Sequence, residues 1–209
     1  MNIGWHLLEL PALSLCTAAI EVDGLLVGQW MVSRPIIVGP MLGAVLGAPF
    51  VGAAFGALFE AFSIETAPVG SFVPMNGTVA AACAVLMSAG PAAVPPAAAL
   101  PAGLALGLAA TRVDHFFRER RGRLTEQALS SLKAGGRVPW ASFLGRSVGG
   151  HAAAIAVFIY AAVAASGAAA GPLWSVLPQA LRMGLSTAFD WAPWLALAIL
   201  LRAMSFRGR

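Results

Sequence analysis

Between Val32 and Gly77 the chain reads VSRPIIVGPMLGAVLGAPFVGAAFGALFEAFSIETAPVGSFVPMNG, apolar enough for a membrane interior yet interrupted by glycine or proline every few residues. Two carboxylates, Glu60 and Glu65, stand within it. A lipid-facing helix accommodates neither feature. Hydrocarbon satisfies no backbone N–H or C=O, so irregular backbone at membrane depth needs cover from protein or from a water-filled cavity, and an acid there is costly. The segment therefore points to a substrate pathway.

The remainder of the chain supports a membrane setting. It is 59% hydrophobic and only 11% charged, with a mean hydropathy of +0.81, whereas soluble domains carry about 25% charged residues. The apolar runs are continuous and alanine-rich rather than alternating, which favours helices over an outer-membrane barrel. The fold class expected is all-α, a polytopic membrane helix bundle with broken or re-entrant helices. The first apolar run lacks a basic n-region and is interrupted by His6 and Glu9, so it does not read as a cleaved signal. Cys16 and Cys83 lie in apolar runs without metal or redox spacing, and His6, His115 and His151 are scattered. No phosphate-cradling loop or nucleophile–base pattern is present. We therefore expect no catalytic residues, no metal and no cofactor.

Of thirteen Lys and Arg residues, eight fall between Arg112 and Arg146, and Arg202, Arg207 and Arg209 sit near the end. Positive segments stay in the cytoplasm, which places both inside. RERRGR lacks the interleaved aromatics of a single-strand binder, so no nucleic-acid partner is expected. The basic segment divides the chain into an N-terminal membrane bundle with interrupted helices (1–111), a cytoplasmic connector (112–147), and a C-terminal membrane hairpin with a basic tail (148–209). VDHFFRERRGRLTEQALSSLKAGG reads as a helix ended at Gly135-Gly136. The apolar stretches 148–170 and 187–204 would cross out and back.

Crossing the hydrocarbon core takes about 20 helical residues. Ile36–Gly47 spans roughly 18 Å as a helix before Ala48-Pro49, which is too short. A second piece, Phe50 to about Phe62, is equally short. Gly39/Gly43/Gly47 and Gly52/Gly56 recur every four residues, so each set lines one helix face and permits close helix contact. On one continuous helix Gly39 and Gly52 would face nearly opposite ways. A break at Pro49 lets both stripes find protein. Glu60 continues the Gly52/Gly56 stripe and should point inward, whereas Glu65 also suits an interfacial loop. The polar, Pro- and Gly-rich stretch beyond Glu60 is the kind of discontinuity that marks a transporter's binding site. A carboxylate there suits a sugar, a proton or a cation equally.

At these residues the sequence resembles the IIC membrane subunit of the mannose/sorbose family of sugar phosphotransferase systems. The matching elements are Asp23, Gly28-Gln29, Ser33-Arg34-Pro35, Gly39-Pro40, Glu60 and Pro68-Val69-Gly70, with good likeness over residues 21–88 and fainter likeness through 112–204. Asn76 stands where that family usually has Asp. The chain also stops at Arg209, soon after an apolar run that family members follow with another membrane segment.

The resemblance implies an oligomeric sugar permease in the bacterial inner membrane, in which this subunit pairs with a IID membrane subunit and holds the sugar. Cytoplasmic IIA and IIB components would carry the phosphorylated histidines and transfer phosphate to the sugar, leaving this chain without a phosphorylation site of its own. The sugar contacts expected are Glu60, Asn76, Gln29, Glu65 and Thr66. Gln29 and Arg34 have a structural alternative, pinning the loop before the first half-helix to free carbonyls. A non-transporting membrane scaffold or regulatory subunit that keeps the fold is the alternative function, on the grounds of Asn76 and the shorter C-terminal region.

Overall fold

The computed structural model describes residues 3–24, 26–64 and 73–206, and these are helical wherever they are regular. A π-helical turn, Trp5–Glu9, leads into α1 (Leu10–Glu21). After it come α2 (Pro35–Val45), α3 (Pro49–Ser63), α4 (Gly77–Ala89), α5 (Pro96–Lys133), the short α6 (Trp140–Leu144), α7 (Gly150–Val176) and α8 (Gln179–Phe206). Proline opens α2, α3 and α5, where its missing N–H costs nothing and its fixed φ already suits the helix. The basic segment is not a separate helix. Residues 96–133 form one continuous rod passing through positions 111–112, and it ends at Ala134 with Gly135 in the left-handed region.

The interrupted segment folds as two half-helices, as its glycine spacing predicts. Leu46–Ala48 form the turn, with Gly47 at φ +72°. This reversal brings the two glycine stripes face to face. A Cβ added to Gly39 would lie 2.7 Å from the Gly56 Cα, and one on Gly43 would lie 2.8 Å from the Gly52 Cα. The two backbones therefore touch directly. In lipid, where apolar burial contributes little to helix association, such backbone contact supplies the van der Waals attraction that holds a pair together.

The hairpin packs on α4, the central helix of the bundle, whose residues from Gly77 to Met87 are all buried. Its alanines let neighbours approach closely, and α5 meets it through Gly103 and Gly107, whose added Cβ atoms would fall 3.0 Å from the Ala84 Cβ and 2.7 Å from the Ala80 Cβ. α1 and α7 pack on each other, and α7 also contacts α4 and α5. α8 lies against α3 and α5 and exposes Trp191, Trp194 and Leu201 outward. Among the described residues, three helical stretches are long and apolar enough to cross a membrane: Pro96–Lys133, Trp140–Val176 and Gln179–Ser205. With exposed apolar side chains covering the outer helices, the chain is an all-α membrane bundle.

Candidate functional site

Three helices each bring one ionisable side chain to a common point near α4. Along α1 the buried positions Leu10, Ser14, Thr17 and Glu21 step by four, three and four. On α5 Gly103, Gly107, Ala110, Asp114 and Phe117 do the same, and on α7 His151, Ile155, Ile159 and Val163 step by four. Such spacing keeps each series on one face. Glu21, Asp114 and His151 thus extend apolar inward faces into the protein and are only 5%, 5% and 1% exposed.

Asn76 organises the cluster. As the N-cap of α4, its side-chain carbonyl accepts the Val79 N–H at 3.0 Å. This orients its amide nitrogen, which donates to Glu21 Oε1 at 3.0 Å and to Asp114 Oδ2 at 3.2 Å. The other two carboxylate oxygens turn toward His151: Nε2 lies 3.0 Å from Glu21 Oε2 and 3.8 Å from Asp114 Oδ1. Asp114 Oδ1 and His151 Nδ1 are both buried without a hydrogen-bond partner. The Phe117 ring meets the imidazole edge-on at 5.4 Å. A cavity of about 220 Å³ opens beside the cluster, its polar lining including Glu21, Ser33, Asn76, Thr78, Asp114 and Arg118.

The loop between α1 and α2 is tied to this place. Asp23 accepts the backbone N–H of Trp30 at 2.8 Å and of Val32 at 3.0 Å. Gly28, at φ +84°, runs so close that a Cβ would stand 3.0 Å from the Asp23 carboxylate. The Ser33 carbonyl accepts the Thr78 hydroxyl, joining the loop to the first turn of α4. Beside it, Glu60 Oε1 accepts from Arg34 Nε at 2.7 Å and from Nη2, and Oε2 accepts the Ile36 N–H at 3.4 Å.

Of the residues expected to hold a sugar, Asn76 lies in the cavity wall at the centre of the cluster. Glu60 faces inward as its stripe predicts, and its carboxylate is engaged by Arg34 at the start of α2. Gln29 sits in the loop pinned by Asp23, exposed and at φ 55°. Glu65 and Thr66 lie outside the described residues. Glu21, Asp114 and His151 escaped the sequence reading because they come from three distant segments. The signal that could have found them is a lone ionisable residue continuing an apolar helical stripe.

This fold and site define a polytopic helical membrane protein built around a discontinuous helix hairpin, with a polar cavity in an apolar bundle. Over residues 7–208 the chain matches the family described as PTS system sorbose-specific IIC component, and it belongs to that family of sugar permease subunits. A solved structure described as that of a membrane protein is similar to it, with a TM-score of 0.75 and 17% identity over 94% of this chain and 80% of that one. At that identity the likeness concerns the fold. No curated protein matches the chain.

Proposed function

We propose that this subunit carries a sugar across the bacterial inner membrane, paired with a IID membrane subunit, while IIA and IIB components on the cytoplasmic side phosphorylate the sugar. The observation that carries this reading is the cavity beside Asn76. Carboxylate, amide and hydroxyl groups converge there in an otherwise apolar bundle, and each carboxylate oxygen retains lone pairs for a sugar hydroxyl. Asn76, Glu21 and Asp114 contact the sugar. Glu60 acts through Arg34, keeping the α1–α2 loop and Ser33 at the cavity wall, and Gln29, Glu65 and Thr66 complete the candidate set.

The test is uptake of labelled sorbose and mannose in cells co-expressing the chain with its IID, IIA and IIB partners. Asp114→Asn should abolish uptake while leaving the membrane complex intact on co-purification. Unchanged uptake would remove the cavity as the sugar site. A non-transporting scaffold is favoured by one observation: Asn76 and His151 already engage three of the four Glu21 and Asp114 oxygens, as a purely structural stitch would. A wild-type complex that assembles but takes up neither sugar, together with an absence of IIA, IIB and IID genes beside this one, would favour that reading.

A further inference from the structure

We infer that Glu21, Asp114 and His151 form a binding site for one divalent transition-metal ion of the zinc type. The reading is independent of sugar transport. The donor atoms of these residues all lie within 4.8 Å of one another. Tetrahedral zinc, with bonds of about 2.0–2.2 Å, sets its donors roughly 3.3–3.5 Å apart. The two separations from His151 Nε2, 3.0 Å to Glu21 Oε2 and 3.8 Å to Asp114 Oδ1, fall either side of that value. The third separation, between the two carboxylate oxygens, is wider, up to 4.8 Å, so seating the ion tetrahedrally requires those two side chains to close by about 1.3–1.5 Å.

The second observation is the orphaned oxygen. Asp114 Oδ1 is fully buried, accepts no hydrogen bond, and points toward His151 Nε2. A buried polar atom left without a partner costs about 1–3 kcal/mol, and more when charged. A cation seated between the three donors would give that oxygen its missing partner. Asn76 has the arrangement expected of an outer-sphere residue, since one amide nitrogen holds the outer oxygens of both carboxylates and thereby turns the inner oxygens toward the imidazole.

Charge and donor type select the ion. Two carboxylates and a neutral imidazole balance a divalent charge, which removes the net charge from a buried site. One nitrogen and two oxygens suit zinc or a neighbouring transition ion. Calcium takes six to eight oxygens and copper(I) prefers sulfur, so neither fits. Glu21 and Asp114 also line the cavity, so an ion held by them would lie next to it.

The experiment uses the tag-free full-length chain in detergent, stripped with EDTA, titrated with Zn²⁺ by calorimetry, and analysed for bound metal after gel filtration. One equivalent of Zn²⁺ per chain is expected, accompanied by a raised melting temperature that EDTA reverses. Co²⁺ should give the visible bands of a tetrahedral site. His151→Gln and Asp114→Asn should each lose the equivalent, Asn76→Ser should weaken it by about 10- to 100-fold, and His6→Gln and His115→Gln should retain it. A wild-type chain that binds no stoichiometric Zn²⁺ overturns the inference, as does binding that survives in both His151→Gln and Asp114→Asn. Should those variants not fold, wild-type stoichiometry and the Co²⁺ spectrum decide. No sugar is present, so failure here leaves the uptake reading untouched.

Discussion

Asn76→Asp is the most discriminating single change, because it alters chemistry at the centre of the site and almost nothing else. The two side chains are nearly isosteric, and Asp caps a helix as well as Asn does, so the bond from the Val79 N–H at the start of α4 survives. What is lost is the amide N–H₂, the donor to both Glu21 and Asp114. A third carboxylate then faces two others at former hydrogen-bond distances. Hydrogen bonds to charged groups contribute about 1.5–3 kcal/mol each, so losing both should cost about 3–6 kcal/mol before any repulsion. At roughly 2–4 °C per kcal/mol for a chain of this size, the melting temperature should fall by about 6 °C or more. The assay is thermal unfolding of the detergent-solubilised protein with EDTA present, against Asn76→Ala, which loses the cap as well. An Asn76→Asp protein that melts with the wild type would refute the argument that the amide holds the two carboxylates in place.

Other consequences follow from the hairpin and its ion pair. Gly39→Ala places a Cβ 2.8 Å from the Gly56 backbone nitrogen, so it should destabilise by about 1–3 kcal/mol, the usual cost of overpacking. Gly122→Ala, where an added Cβ meets nothing within 4 Å, should instead gain about 0.5–1 kcal/mol, with the two melting temperatures moving in opposite directions. Glu60→Gln removes the charged partner of a half-exposed Arg34, so the stability loss should stay near or below about 1 kcal/mol. Sugar uptake should fall more than stability does, and the Arg34→Gln/Glu60→Gln double variant should melt no lower than Glu60→Gln alone. A double variant that melts well below the single one would contradict the pairing.

The hairpin was legible because its causes are local. Proline at Pro35 and Pro49 sets helix starts, Gly47 permits the reversal, and glycine at four-residue steps specifies which faces meet. The inward direction of Glu60 followed from the same spacing. Its partner did not, since Arg34 lies 26 residues away and only the fold of the hairpin brings the two together. The long α5 is a further case: the shift from apolar to basic composition near residue 112 suggests a boundary, yet neither glycine nor proline lies between Gly107 and Gly122. The backbone ladder therefore continues through the change of surroundings.

The cluster around Asn76 marks the limit of sequence reading. The sequence alone determines a membrane bundle and a broken central segment, because composition and the spacing of glycine and proline are local, whereas the faces carrying Glu21, Asp114 and His151 emerge only in the packed helices. It does not determine that these three faces meet, since Glu21 and His151 are 130 residues apart. That meeting depends on how α1, α5 and α7 pack around α4, whose alanines let its neighbours come close. One amide at the start of α4 then satisfies two acids that would otherwise repel, a balance of desolvation and hydrogen bonding that exists only once the helices are assembled.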